Sequence, residues 1–459
     1  MLFYDELKKG SKIHFIGIGG VSMSGLAEIA LSMDYKISGS DMNESEVLDK
    51  LRNNGIEVFI GHNEENVHGA DLVVYTAAVK KDNPELVEAH NLNIRTMERS
   101  EFLGELTLLS EETIGICGTH GKTTTTSMIS VSFINGGKDP YVQVGADLKQ
   151  INGNYRIGKY PYFIIESCEY VDSFLQFHPE TAELLNIEED HLDYFKDIEA
   201  IKASFRKFVE KVPERGFVIY NADDEKCIEV CKDLKCNIIS FGINNSDCDW
   251  IATNITLNPN GFYSFTATNG YEEIRIDLNV VGYHNILNAL ATIATSRAHG
   301  IELETIKKSL EEFTGASRRF EYRGTLNGAS VFDDYAHHPT EIKATIKSAQ
   351  TLPHEKIWVV FQPHTYSRTK ALWEEFKNAF VDCDNVLLLD IYAAREKDDG
   401  IASSINLADA INEVSSNCLY VSSFEECIDY LKEHVNSEDV VLTIGAGSVT
   451  KISHEITND

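Results

Sequence analysis

The segment Gly115-Ile116-Cys117-Gly118-Thr119-His120-Gly121-Lys122-Thr123 carries the most specific chemistry in the chain. An apolar strand runs into glycines and then into a helix, an arrangement that presents backbone N–H groups and a helix N-terminus to phosphate oxygens. Lys122 supplies a cation for the β- and γ-phosphates of a nucleotide, and Thr123 supplies a hydroxyl for Mg²⁺. Strict Walker spacing requires glycine at position 116, where this chain has isoleucine. Gly-Lys-Thr after a strand is still a specific sign of nucleotide binding. Gly118, Thr119, His120, Gly121, Lys122, Thr123 and Thr124 therefore form the predicted phosphate loop, with ATP and Mg²⁺ as the expected cofactors.

Other residue types stand where they could serve the same chemistry. Glu169 and His191 follow apolar strands, where parallel sheets place ligands, and a carboxylate and an imidazole there can hold Mg²⁺. A surface acid and a helix-capping histidine are the alternative. Asn285 and Asn288 open a helix and can pair with an adenine edge, although capping accounts for Asn285 almost as well. Arg318-Arg319 either puts a cation where charge moves or binds surface carboxylates. Near the N-terminus, Gly17-Ile18-Gly19-Gly20 with Asp41 resembles a dinucleotide-binding fingerprint. The adjacent His337 and His338 project in opposite directions if extended, so one ligand does not take both.

Gly118–Thr123 resembles the compact phosphate loop of the Mur ligases, and further motifs follow in that family's order along almost the whole chain. They are His14–Gly20, Glu166 with Glu169, Asn186–Asp193, His284-Asn285 with Asn288, Arg318-Arg319-Phe320, Asp333–Pro339 and Gln362-Pro363-His364. The last two resemble the members that add L-alanine. The resemblance implies ATP-dependent amide formation between the carboxylate of UDP-N-acetylmuramate and L-alanine, through an acyl phosphate. It implies a catalytic set of Lys122, Glu169, His191, Arg319 and His338, with Thr123, Glu169 and His191 at the metal. His284, Asn285 and Asn288 would contact the base or ribose of ATP, and Arg319 its γ-phosphate. The UDP moiety would lie over Gly17, Gly19, Gly20, Ser40, Asp41, Thr76 and Ala77. His337, His364 and Arg368 would face the amino acid, with Arg368 on its carboxylate. The chain reads Glu166-Ser167-Cys168-Glu169 where the commoner family form is Glu-Ala-Asp-Glu, so an aspartate ligand is missing.

Three rivals use fewer of these motifs or differ in substrate. A sister ligase attaches a preformed tripeptide to the same sugar nucleotide. An NAD-dependent dehydrogenase explains only the N-terminal glycines, and a P-loop regulatory NTPase only the middle of the chain.

These residues need a scaffold, and the apolar pattern predicts an α/β protein of three domains. Residues 1–108 read as a Rossmann-like domain, with strands at Ile13–Ile16, Tyr35–Gly39 and Asp71–Tyr75 and a helix burying Leu26, Ile29, Ala30 and Met33. Residues 109–318 read as a central P-loop ATPase-like parallel sheet, with strands at Thr113–Cys117, Tyr162–Ile165 and Ala182–Asn186. An edge β-hairpin is expected around Asn258-Pro259-Asn260-Gly261. Residues 319–459 read as a second Rossmann-like domain, with strands at Val331–Tyr335, Ile357–Phe361, Val386–Asp390 and Val440–Ile444.

Composition sets the outer limits. A chain of 459 residues exceeds one hydrophobic core, and 43% hydrophobic with 25% charged residues is ordinary for a soluble protein. No apolar run suffices for a membrane span, and the N-terminus lacks a signal-peptide pattern, so a cytoplasmic location is expected. A monomer or weak homodimer is expected, although no residue pattern fixes the oligomeric state. The net charge of −31 opposes a nucleic-acid partner. Nine cysteines point to free thiols, with Cys227 and Cys231 on one helix face and no zinc spacing.

Overall fold

The computed structural model describes residues 9–457, apart from Ala77, Leu109, Tyr160, Asp193, Arg395 and Asp399. The substrate assignment of Ala77 therefore lies outside the described residues. Strands β1 (Lys12–Ile16), β2 (Lys36–Asp41), β3 (Glu57–Ile60), β4 (Leu72–Tyr75) and β5 (Arg95–Glu98) form a parallel sheet in the order β3-β2-β1-β4-β5. The chain reverses its winding direction at β1, and the glycine loop Gly17–Gly20 leaves that strand's carboxyl end, where doubly wound sheets bind ligands.

The second sheet has ten strands. They are β6 (Glu112–Cys117), β7 (Tyr141–Leu148), β8 (Gly153–Arg156), β9 (Tyr162–Glu166), β10 (Thr181–Leu184), β11 (Phe217–Asn221), β12 (Asn237–Gly242), β13 (Trp250–Leu257), β14 (Phe262–Thr268) and β15 (Glu273–Val281). Their order is β15-β14-β13-β12-β11-β10-β6-β9-β7-β8. The strand carrying the phosphate loop thus lies among parallel neighbours, β10 and β9. The expected edge hairpin is one limb of a three-stranded antiparallel extension, β13-β14-β15. A second hairpin, β7-β8, closes the opposite edge.

The third sheet comprises β16 (Glu321–Leu326), β17 (Ala329–Asp334), β18 (Ile357–Phe361), β19 (Asn385–Leu388), β20 (Cys418–Tyr420) and β21 (Val440–Ile444), ordered β16-β17-β21-β18-β19-β20. Only the β16-β17 pair is antiparallel. Ile357–Phe361 and Val440–Ile444 are buried at every residue, which explains their unbroken apolar runs. Cys227 and Cys231 are buried on the helix Glu225–Cys231, and all nine cysteines are free thiols. No helix among the described residues is long and apolar enough to cross a membrane.

Candidate active site

The phosphate loop joins β6 to the helix Lys122–Asn135. Gly121 is left-handed at φ +86°, and a Cβ there would stand 2.8 Å from Asn288 Oδ1, so only glycine fits the turn and its neighbour together. Asn186, just past β10, clamps the loop from outside. Its Oδ1 accepts from His120 N (2.8 Å), its Nδ2 donates to His120 O (3.0 Å), and its carbonyl accepts from Thr119 N (3.0 Å). Lys122 Nζ folds back to donate to Gly118 O (2.5 Å) and Thr119 O (2.9 Å), and lies 3.0 Å from Glu169 Oε2. Burial opposes the ammonium charge, but Glu169 outweighs it and holds the lysine protonated.

Two cavities meet at this loop. The first, about 470 Å³, is lined by His120, Gly121 and Thr124, by His284, Asn285 and Asn288, and by apolar walls that include Leu185, Phe241 and Phe320. The second, about 510 Å³, is lined by Lys122, Glu166, Asp190, His191, Tyr335, His337, His364 and Arg368. Gly121, Arg319 and Glu341 line both. Sequence-predicted residues of the central and C-terminal segments are thereby brought together around one junction.

Neighbouring residues divide their work. Arg318 Nε pairs with Asp333 Oδ2 at 3.0 Å inside the third sheet, whereas Arg319 NH2 crosses to donate to Thr123 Oγ1 at 3.0 Å. Both guanidinium groups lie near the ring of Tyr335. The two histidines also part, as their alternation requires: His337 lines the second cavity, while the ring of His338 packs 5.1 Å from that of His120. His338 caps the helix Pro339–Ala349, accepting from Thr340 N, and its Nε2 donates to Glu189 O (3.0 Å). His338 does not line the second cavity, which takes Lys122, His191 and Arg319 of the predicted catalytic set; Glu169 reaches that set through Lys122. Asn285 does not cap its helix: Tyr283 is the N-cap residue, and Asn285 Nδ2 reaches back to Val281 O (2.8 Å) while its Oδ1 accepts from Asn288.

In the second cavity, burial and Arg368 hold His364 down to about 4, and burial holds His337 down to about 4, so both are neutral imidazoles. His337 Nδ1 donates to Tyr335 O at 3.1 Å, which leaves the lone pair on Nε2. Arg368 donates from Nε (3.3 Å) and NH2 (3.1 Å) to Asp190 Oδ1 and from NH1 to His364 Nδ1 (3.2 Å). His191 sits at φ +54°, with its ring 4.5 Å from Tyr170. Thr123 Oγ1 donates to Glu166 Oε1 at 3.0 Å. Glu169 is 2% exposed; its Oε1 accepts from Lys122 Nζ at 3.3 Å, and its Oε2 has that ammonium as its ion-pair partner and no further hydrogen bond among the described residues. Oxygen donors from Thr123, Glu166 and Glu169 therefore suit Mg²⁺. Asn186, Asp190, Glu166 and Glu341 were in or near the quoted motifs but carried no assigned role. Their partners lie far along the chain, Asn186 being 66 positions from His120, so no local signal reports these contacts.

The N-terminal glycine loop is held by β2. Gly17 N and Ile18 N donate to Ser40 O, and Gly19 N donates to Asp41 Oδ2 at 2.9 Å, where a Cβ on Gly19 would collide with that carboxylate. Gly20 is the N-cap of the helix Val21–Ser32 and leaves its N-terminus without a side-chain cap. Ser40 is fully buried: its carbonyl holds the glycine loop, and its hydroxyl donates to Glu85 Oε2 (2.6 Å). Thr76 Oγ1 accepts from Ala78 N in the turn after β4.

Three sheets and a phosphate loop shared between two cavities define a multidomain nucleotide-phosphate-binding protein of the α/β class. Family profiles match three consecutive stretches: "Mur ligase family, catalytic domain" over residues 12–110, "Mur ligase middle domain" over 116–296, and "Mur ligase, glutamate ligase domain" over 318–447. The chain belongs to the Mur ligase family. It is 51% identical over 452 residues to the UDP-N-acetylmuramate–L-alanine ligase of Acetivibrio thermocellus, covering 98% of this chain and 96% of that one. It is 52% identical over 442 residues to the enzyme of that name from Clostridium acetobutylicum, covering 96% of each. Among solved structures, the UDP-N-acetylmuramate–alanine ligase of Thermotoga maritima superposes with a TM-score of 0.80 at 28% identity, covering 97% of this chain and 98% of the other. A murein peptide ligase of Psychrobacter arcticus gives 0.71 at 25% identity, covering 98% and 99%.

Proposed function

We propose that this chain is an ADP-forming ligase that joins L-alanine to the carboxylate of UDP-N-acetylmuramate in peptidoglycan precursor synthesis. The carrying observation is the junction at Gly121, Arg319 and Glu341, where a cavity walled by Leu185, Phe241 and Phe320 meets one lined by Lys122, Asp190, His191, His337, His364 and Arg368. ATP fits with its adenosine in the first cavity, beside Asn285 and Asn288, and its γ-phosphate at the junction. The UDP moiety lies over Gly17, Gly19 and Gly20, where the Val21–Ser32 helix N-terminus favours a pyrophosphate.

A carboxylate oxygen of the sugar nucleotide attacks the γ-phosphorus, the bond to the bridging oxygen breaks, and ADP leaves an acyl phosphate behind. Lys122 and Arg319 balance the charge spread over the transferred group. Lys122 leaves its loop carbonyls to do so. Thr123, Glu166 and Glu169, with His191 lining the same cavity, would hold Mg²⁺, which supplies charge neutralisation on the phosphates. The L-alanine nitrogen then attacks the carbonyl carbon, and inorganic phosphate departs. Arg368 grips the alanine carboxylate, and His337 Nε2 accepts a hydrogen bond from the amine. Closing the C-terminal sheet over the junction keeps water from the acyl phosphate.

The relatives that are about half identical carry the L-alanine-adding name, which favours L-alanine over the tripeptide handled by the sister enzyme. The test is ADP release with Mg²⁺-ATP, adding UDP-N-acetylmuramate and L-alanine singly and together. Turnover with both alone, matched by amide product in mass spectra, is expected. Turnover with the tripeptide L-Ala-γ-D-Glu-meso-diaminopimelate but not L-alanine would transfer the assignment to the sister ligase. ADP release indifferent to both additions would overturn the ligase reading.

A further inference from the structure

Outside the reacting groups, His120, Glu188 and His338 bring one ligand atom each to within 4.8 Å of one another. They come from the phosphate loop, the loop after β10, and the N-cap of the first helix of the C-terminal segment. We infer that they form a binding site for a divalent transition-metal ion of the zinc type, which clasps the phosphate loop to the C-terminal segment.

The second ring nitrogen of each histidine is already oriented. His120 Nδ1 lies 3.1 Å from Glu341 Oε1, and His338 Nε2 lies 3.0 Å from Glu189 O. A carboxylate and a carbonyl on the far nitrogen are the usual outer partners of metal-bound imidazoles, fixing the tautomer and raising ligand basicity. The nitrogens left over are His120 Nε2 and His338 Nδ1. His120 Nε2 is buried and, among the described residues, has Glu188 as its ion-pair partner but no close hydrogen bond. It lies 3.4 Å from Glu188 Oε2, and a tetrahedron with metal–ligand bonds of about 2.1 Å has an edge of about 3.4 Å. His338 Nδ1 accepts only a long 3.3 Å bond from Thr340 N, which it can release. Glu188 is steadied by Thr340 Oγ1 at 2.8 Å. Two imidazoles and one carboxylate leave a fourth position open, and this donor set selects zinc, cobalt or nickel over the oxygen-seeking Mg²⁺.

The inference stands apart from the ligase reading, and its readout does not involve turnover. The full-length chain, stripped with EDTA, is titrated with Co²⁺ alone while its visible ligand-field bands are followed. Saturable bands displaced by Zn²⁺ are expected. Glu188→Gln and His338→Gln, altering ligands from different parts of the fold, should each weaken Co²⁺ binding at least tenfold, with folding checked by circular dichroism. Glu169→Gln, in the proposed Mg²⁺ set, should leave the bands in place. Zn²⁺ should also raise the melting temperature of the native chain but not of Glu188→Gln. Absence of bands in the native chain, or bands lost in Glu169→Gln and kept in Glu188→Gln, would overturn the inference.

Discussion

Arg368 is the residue at which the amino-acid assignment is most exposed to test. A guanidinium offers five N–H donors. Among the described residues, Asp190 takes one from Nε and one from NH2, and His364 takes one from NH1. One donor remains on each terminal nitrogen, which is what the two oxygens of an α-carboxylate require. Arg368→Lys keeps the charge opposite Asp190 but loses the planar fork. Losing one charge-assisted hydrogen bond to the substrate costs about 1.5–3 kcal/mol, so KM for L-alanine should rise roughly tenfold to hundredfold. KM for ATP should hold within about twofold, because its cavity is lined by other residues. Arg368→Ala differs in kind, since it strands the buried Asp190 carboxylate and should destabilise the chain by about 3–5 kcal/mol. Steady-state ADP release with each substrate varied, alongside thermal melts, separates the two effects. Unchanged KM for L-alanine in a well-folded Arg368→Lys, or equal rises for all substrates, would refute the assignment.

Lys122→Ala should cut ligation by about a thousandfold while binding of UDP-N-acetylmuramate, measured by calorimetry, stays within about twofold; near-normal turnover would remove Lys122 from the mechanism. Glu183 is fully buried on β10, and burial raises it to about 8 despite a hydrogen bond from Thr295. The unfolded chain ionises this group near its ordinary 4.5 while the folded chain keeps the proton to about 8, so wild-type stability declines across that window. Glu183→Gln should flatten the decline, giving a higher melting temperature than wild type at pH 8.5 and little difference at pH 4.5; parallel curves would refute the buried-acid reading. Cys168 is exposed, yet the protein crowded around it and the nearby Glu169 push its thiol up to about 11, so alkylation by iodoacetamide should be slow at pH 8 and keep accelerating to about pH 11, as followed by mass spectrometry of the Cys168 peptide. A rate that levels off by pH 9 would contradict it.

Features encoded locally were the ones legible in the sequence. The strand–glycine–Lys122-Thr123 sequence announces its own geometry, and Val440–Ile444 shows a doubly buried strand as an unbroken apolar run. The hairpin β7-β8 was not predicted, although Val142, Val144 and Leu148 alternate with Gln143, Gly145 and Asp147 as in a half-buried strand; what no local pattern reports is that Gln143 and Asn154 reach Ser22 and Val21 of the N-terminal segment. Pairings such as Arg368 with Asp190, or His120 with Glu341, join residues 178 and 221 positions apart, and no local pattern reports them. The capping alternative for Asn285 fails for a related reason: the helix starts at His284 with Tyr283 as its N-cap, so Asn285 already lies inside the first turn.

The three sheets do not correspond to three independent cores. Phe102, Leu103 and Leu106, on the helix Arg99–Thr107, belong to one apolar cluster that runs from Phe15 under the first sheet to Phe163, Phe174 and Phe208 under the second. The third sheet buries its faces in clusters of its own. Calorimetric unfolding should therefore resolve two cooperative units, with the segment that holds the sugar nucleotide melting together with the one that holds ATP. A cut after the first sheet would strand half of a shared core. A cut before Arg318 would leave the apolar clusters of the third sheet whole but would part polar pairs such as Arg368 with Asp190 and His120 with Glu341, so the two seams differ in what holds them: shared apolar core at one, buried polar pairs at the other.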